Sequence, residues 1–108
     1  MNMLLCLSDV LDFSKVKFTP GESIRVRTDQ DKEECRITDI CLVSDDRIVV
    51  ADCANQSVKL LEVTTGRVLH QLQLQDTPGA VCQMSGDRVA VTEAGRIQVS
   101  LVTLNINT

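Results

Sequence analysis

One pattern is written twice in this chain, 41 positions apart. Ile40-Cys41-Leu42-Val43-Ser44-Asp45-Asp46-Arg47-Ile48-Val49-Val50-Ala51-Asp52 aligns with Val81-Cys82-Gln83-Met84-Ser85-Gly86-Asp87-Arg88-Val89-Ala90-Val91-Thr92-Glu93. Cys41, Ser44, Asp46, Arg47 and Val50 recur as Cys82, Ser85, Asp87, Arg88 and Val91. Several other positions exchange like for like. A two-residue deletion in the second copy then lets Val58-Lys59-Leu60 fall on Ile97-Gln98-Val99. A repeat of this length is one supersecondary unit, stacked on its own copy.

The unit is made of strands. Turn signals cut the chain into short pieces with a period of two. Ser23-Ile24-Arg25-Val26-Arg27-Thr28 alternates apolar and basic residues and predicts a leading strand; the charged stretch Asp29 to Glu34 predicts a loop. Ile37 to Val43 is the next β-rich run, and Arg47 to Asp52 is nearly continuous and β-branched, as in a strand buried on both faces. Cys53-Ala54-Asn55-Gln56 is a turn, Ser57 to Val63 a strand, and Thr64-Thr65-Gly66 a tight connection. Val68 to Gln75 alternates again, with Leu69, Gln71, Gln73 and Gln75 on one side and Val68, His70, Leu72 and Leu74 on the other. Four strands in a repeat of about 40 residues make a propeller blade. The fold expected is all-β, with about two antiparallel four-stranded blades, an incomplete β-propeller fragment. Residues 1–20 are a poorly ordered or short-helical lead, 21–36 the leading strand and charged loop, 37–75 the first blade and 76–108 a second, degenerate one.

At 108 residues, two blades are fewer than a closed propeller needs. The length therefore predicts first a part of something larger, with self-association through uncovered blade faces or pairing of the two sheets into a compact sandwich as the alternatives. Other partners are bounded by composition. The net charge is −4, so phosphate backbones gain little from this chain. Phe13 and Phe18 are the only aromatic residues, which leaves no stacking platform for bases. No apolar run reaches the roughly 18 residues of a membrane span. The start lacks a basic n-region and its apolar run stops at Ser8, which predicts a cytoplasmic chain. Five cysteines, Cys6, Cys35, Cys41, Cys53 and Cys82, have no metal-ligand spacing and read as reduced, packed thiols.

Arg47 to Leu61 resembles an NHL repeat: an apolar strand, Val50-Ala51-Asp52, two residues, Asn55, then the apolar–basic–apolar run Val58-Lys59-Leu60. With Ile24-Arg25-Val26-Arg27-Thr28 and Cys35-Arg36-Ile37-Thr38-Asp39, residues 21–104 resemble the propeller region of invertebrate tripartite-motif-type proteins. The second copy departs from the motif, with Thr92-Glu93 for Ala-Asp and a turn shortened to Ala94-Gly95. The resemblance implies a propeller that recognises a protein partner and, in a longer relative, selects substrates for ubiquitin transfer. The chain has no RING, B-box or heptads of its own.

No catalytic constellation emerges. Nucleophile elbow, phosphate loop and zinc-helix motifs are absent. The carboxylates of Asp45/Asp46 and of Asp31 to Glu34 sit in polar turns, and His70, the only histidine, lies on an alternating strand. No cofactor or metal is expected. Asp52 and Asn55 suit a hairpin turn, because their side chains accept hydrogen bonds from nearby backbone amides. Turns of an up-and-down blade alternate between two ends. Residues 53–56, 75–79 and 94–95 therefore share the end that faces a ligand in NHL propellers. Asp52, Asn55, Asp76, Glu93 and Arg96 form a candidate rim there, mildly acidic and suited to a basic or polar protein segment. A non-catalytic protein-interaction module is the leading reading. An RNA-binding propeller segment and part of a propeller-scaffold enzyme are the alternatives.

Overall fold

The computed structural model describes residues 14, 17, 19–96 and 98–104. The expected helical or disordered lead, residues 1–20, lies almost wholly outside them. The elements are β1 (Ile37–Ser44), β2 (Arg47–Asp52), β3 (Ser57–Glu62), β4 (Arg67–Gln73), β5 (Pro78–Ser85), β6 (Arg88–Glu93), a 3-10 turn (Ala94–Arg96) and β7 (Gln98–Thr103). They form two antiparallel up-and-down sheets, β1-β2-β3-β4 and β5-β6-β7. The first sheet is the four-stranded blade expected. The second has three strands among the described residues.

The central strands are buried as their sequence predicts: β2 is covered along its last four residues and β3 along its first five. Directly paired residues share a face. Val49 pairs with Leu60 and Ala51 with Val58, so these four form one face of the first sheet. That face meets Val81, Val89 and Val91 of the second sheet in a single apolar core. Dense packing of β-branched residues on two pleated faces holds the sheets together, at roughly 25 cal/mol per Å² removed from water. The inner strands β1 and β5 run side by side. Thr38 Oγ1 donates to the Gly79 carbonyl at 2.8 Å, Val81 N to Asp39 Oδ2 at 2.9 Å and Gln83 Nε2 to the Val43 carbonyl at 3.1 Å. Both amides on Asp39, of Val81 and Ile40, hold its carboxyl below the usual range.

Three expectations need correction. Residues 23–28 are not a strand. Their burial still alternates, with Ile24, Val26 and Thr28 half-covered, but they lie as a strap without ladder partners. Lys59 Nζ donates to the Val26 carbonyl at 2.8 Å and Thr28 Oγ1 to Gln71 Oε1 at 2.5 Å, so side chains hold the strap where backbone pairing would have. In β4 the alternation breaks at Leu69, because Leu60 pairs with His70 and Leu61 with Val68. The extra residue turns Leu69 away from the Gln71 side and against the core.

The third correction is the deletion. Arg47 pairs with Glu62 and Asp52 with Ser57; Arg88 pairs with Thr103 and Glu93 with Gln98. Each second pair lies 41 residues beyond the first. Val63 N donates to the Asp46 carbonyl at 2.8 Å, and 41 positions on Leu104 N donates to Asp87 at 2.6 Å. Cys53 N to the Arg36 carbonyl recurs as Ala94 N to Thr77. The offset holds to the end of β7, and Lys59 corresponds to Ser100.

Candidate partner-binding surface

Asp52 closes β2 and Ser57 opens β3, so the turn between them brings the Asp52 carboxylate under its own backbone. Gln56 adopts φ of 49° to complete it. Asp52 Oδ1 accepts from Arg36 N at 3.0 Å and from Asn55 N at 3.4 Å. Its Oδ2 accepts from Asn55 Nδ2 at 2.9 Å and from Lys59 Nζ at 3.0 Å. Asn55 reaches the other way too. Its Oδ1 accepts from Lys32 N at 3.0 Å and Glu33 N at 2.8 Å, and its Nδ2 donates to the Glu33 carbonyl at 3.0 Å. One amide side chain thus fixes the charged loop to the hairpin.

Lys59 sits at the centre, on the face of β3 opposite the apolar core. Its ammonium donates to Asp31 Oδ2 at 2.7 Å, Asp52 Oδ2 at 3.0 Å, the Val26 carbonyl at 2.8 Å and Cys35 Sγ at 3.5 Å. The side chains of Lys59, Asp31 and Asp52 have no exposed surface. Burial opposes every charge here, and the partners outweigh it. Burial lowers the tendency of Lys59 to stay protonated, yet Asp31 and Asp52 raise its pKa overall. Burial pushes Asp31 up, but hydrogen bonds from Lys59, the Thr28 amide, Cys35 and Gln71 leave it well below the usual carboxylate range. Asp52 is likewise lowered, against burial, by the Arg36 amide, Asn55 and Lys59. Cys35, which donates to Asp31 Oδ2 at 3.2 Å, is pushed up to about 11, first by burial and then by the two carboxylates. Asp31, Cys35 and Asp52 offer three metal-type ligand atoms within 4.8 Å of one another. The Lys59 ammonium stands among them as the cation, bonded to all three.

The five rim residues divide. Asp52 is fully buried and Asn55 only 9 % exposed, so these two frame the loop end and do not line it. Glu93 is also buried; the Ser100 hydroxyl donates to its carboxylate, as Lys59 does to Asp52 in the first sheet. Asp76 is half-buried, accepts from Thr77 N at 2.7 Å and lies against the Gly95 backbone. Arg96 ends the 3-10 turn. The expected display of carboxylates by Asp52 and Glu93 is therefore corrected: burial takes both away. Among the described residues, the exposed charge at this end includes Asp29, Lys32, Glu33 and Glu34 of the loop and Arg36 just beyond it. Beside that loop is a polar cleft of about 370 Å³, lined by Gln30, Lys32, Glu33, Asn55, Gln56 and Gln73 among others. Sequence reading missed the loop's placement and missed Asp31 and Lys59. The available signal was a lysine flanked by Val58, Leu60 and Leu61 within a strand.

The profile of the anaphase-promoting complex subunit 4 WD40 domain matches residues 15–102. Among solved structures, the computationally designed Ika4 protein has a similar fold, with a TM-score of 0.61 and 16 % identity over 83 % of this chain. The chain spans 52 % of the length of that protein. No curated protein sequence matches it.

Proposed function

Given that the chain belongs to the family of the anaphase-promoting complex subunit 4 WD40 domain, we infer that it is a non-catalytic protein-interaction module. Its first blade is read as NHL-type, on the strength of Val50-Ala51-Asp52, Asn55 and Lys59 at the motif's spacing. The partner surface is the loop end, and the partner is a basic or polar protein segment. In a longer relative of tripartite-motif type the module would select substrates for ubiquitin transfer.

One observation carries this reading. The Asp29–Glu34 loop is exposed and charged, yet it is tied by Asn55 and Asp31 to a fully buried ion network. A loop held that firmly loses little further freedom when a partner binds it. Asp29, Glu33 and Glu34 against Lys32 give it a net negative sign. The test is a peptide array of basic, neutral and acidic segments probed with the full chain. Retention on basic peptides that weakens as salt rises, and that is lost in the Glu33→Lys, Glu34→Lys variant, is expected. A preference for acidic peptides, or salt-sensitive retention of single-stranded RNA in a parallel filter assay, would overturn it.

A further inference from the structure

Among the described residues, the second sheet leaves one face open. Met84, Val99 and Leu101 are 58 %, 59 % and 54 % exposed on it. Cys82 pairs with Ala90, and Ala90 with Leu101, so these residues share a face. It is the opposite face from Val81, Val89 and Val91, which fill the core.

The 41-residue offset identifies what this face matches. Cys82, Ala90, Val99 and Leu101 correspond to Cys41, Val49, Val58 and Leu60, the residues through which the first sheet meets the second. The open face is the repeat-mate of a face already buried in the same chain. Its cover in the first sheet is the row Val81, Val89, Val91. Subtracting the same offset from that row gives Ile40, Ile48 and Val50, on the outer face of the first sheet. Val50 is covered, but Ile40 is 55 % exposed and its neighbour Leu42 61 %. The strap holds to Lys59 and Gln71 on the β3–β4 side of that face, away from β1. One chain therefore carries both halves of a single type of contact, on opposite sides.

We propose that the open face of the second sheet docks the Ile40–Leu42–Ile48 strip of a second copy, head to tail, repeating the β1 side of the contact that the two sheets of one chain already make; Val50 and Leu61, covered within the chain, take no part. Such a contact is heterologous: it continues to a third copy unless rotation closes a ring. The contact between copies differs from the internal one in one respect. Thr38, Asp39 and Gln83, which supply the cross-sheet hydrogen bonds, are replaced at the equivalent positions by Gly79, Ala80 and Leu42. Apolar burial, with Leu42 against Met84, takes over from hydrogen bonding there. The proposal rests on the repeat and the exposed faces, and is independent of the partner read for the loop end.

Sedimentation velocity of the full chain, with Ile40→Lys and Leu101→Lys variants, tests it. The unaltered chain associates as its concentration rises. Each variant associates about 30-fold more weakly or worse, the effect of losing a central apolar anchor. An equimolar mixture of the two forms a dimer and nothing larger, because each brings the face the other lacks. An unaltered chain that stays monomeric would overturn the proposal. So would an Ile40→Lys chain that still self-associates, which would mean that second sheets pair face to face. Both positions are more than half exposed, so the fold tolerates the change, and far-ultraviolet circular dichroism checks it. Should either variant unfold, hydrogen exchange on the unaltered chain decides: protection rising with concentration in both β1 and β7 supports the contact, and protection confined to β7 or absent from both refutes it.

Discussion

Replacing Lys59 by Met removes one charge and keeps most of the apolar stem, which isolates the ammonium from the packing. In the folded chain that ammonium lies 2.7 Å from Asp31 and 3.0 Å from Asp52, and none of the three side chains reaches solvent. Without it, two buried carboxylates face each other with only neutral donors. Breaking a buried pair in this way costs about 3–5 kcal/mol. A domain of this size is stable by about 5–15 kcal/mol, so the loss is a large fraction of the total. With a urea slope of about 1–3 kcal/mol/M, the midpoint falls by about 2 M. The pH dependence is the sharper readout. In the unaltered chain Asp31 and Asp52 have lowered folded pKa values, so their contribution is complete above the unfolded value near 4 and is lost as pH falls through the folded values. Lys59 has a raised value, so its contribution holds below its unfolded value near 10.4 and fades as pH rises through the folded one. In Lys59→Met the sign of the carboxylates reverses. Burial without a cation raises their folded values, and the variant recovers stability as acid protonates them. Urea titrations at pH 7 and pH 4 should show a wide gap closing in acid. A gap under about 1 kcal/mol at pH 7, or one that stays constant between the two pH values, would refute the reasoning.

Two further outcomes follow from the same neighbourhoods. Cys35, with its pKa near 11, is about one part in 1,000 thiolate at pH 8; iodoacetamide should label exposed Cys82 early and Cys35 last, and peptide mapping that finds the two labelled together would contradict the burial argument. At Gly95 a Cβ would stand 2.8 Å from the Asp76 Cγ, so Gly95→Ala must displace a carboxylate that holds the Thr77 amide and should cost about 1–2 kcal/mol in thermal or urea unfolding; combined with Asp76→Ala the cost should fall well short of the sum of the two single changes, and simple additivity would rule out the clash.

The strands were legible because each is bounded by turn chemistry and, local bulges such as that at Leu69 aside, each alternates. Ser44-Asp45-Asp46 and Thr64-Thr65-Gly66 both turn where their residues predict, with Gly66 at φ of 72°. The false deletion has an equally plain cause. Moving Val58-Lys59-Leu60 by two residues preserves which side chains face the core, because a strand repeats every two residues. Alternation is blind to that shift. The pairings of β6 with β7, Glu93 with Gln98 and Arg88 with Thr103, reveal it. The strap failed for the reverse reason: Ile24, Val26 and Thr28 have the alternation of a strand, but a strand also needs a neighbour, and nothing local supplies one. Within the candidate site, Asp52 and Asn55 were legible as turn formers. Their partners were not, since Asp31 and Lys59 are 28 residues apart and only the folded strap brings them together.

The two sheets solve the same problem at the same place, and the difference between the solutions explains the ion network. An acidic residue ends the second strand of each, Asp52 and Glu93, and each is met by the residue seven positions on, Lys59 and Ser100. A hydroxyl meets the carboxylate in the second sheet. In the first sheet the same position must also hold residues 26–36, which carry no ladder of their own. A hydroxyl cannot reach that far. A lysine can, and its three donors meet the Val26 carbonyl, Asp31 and Asp52 together. Burying that charge is favourable only with both carboxylates present, and Asp31 is delivered by the strap itself. The strap and the ammonium therefore depend on each other. The loop at the proposed partner-binding end is held in place because the chain cannot release it without stranding a buried cation.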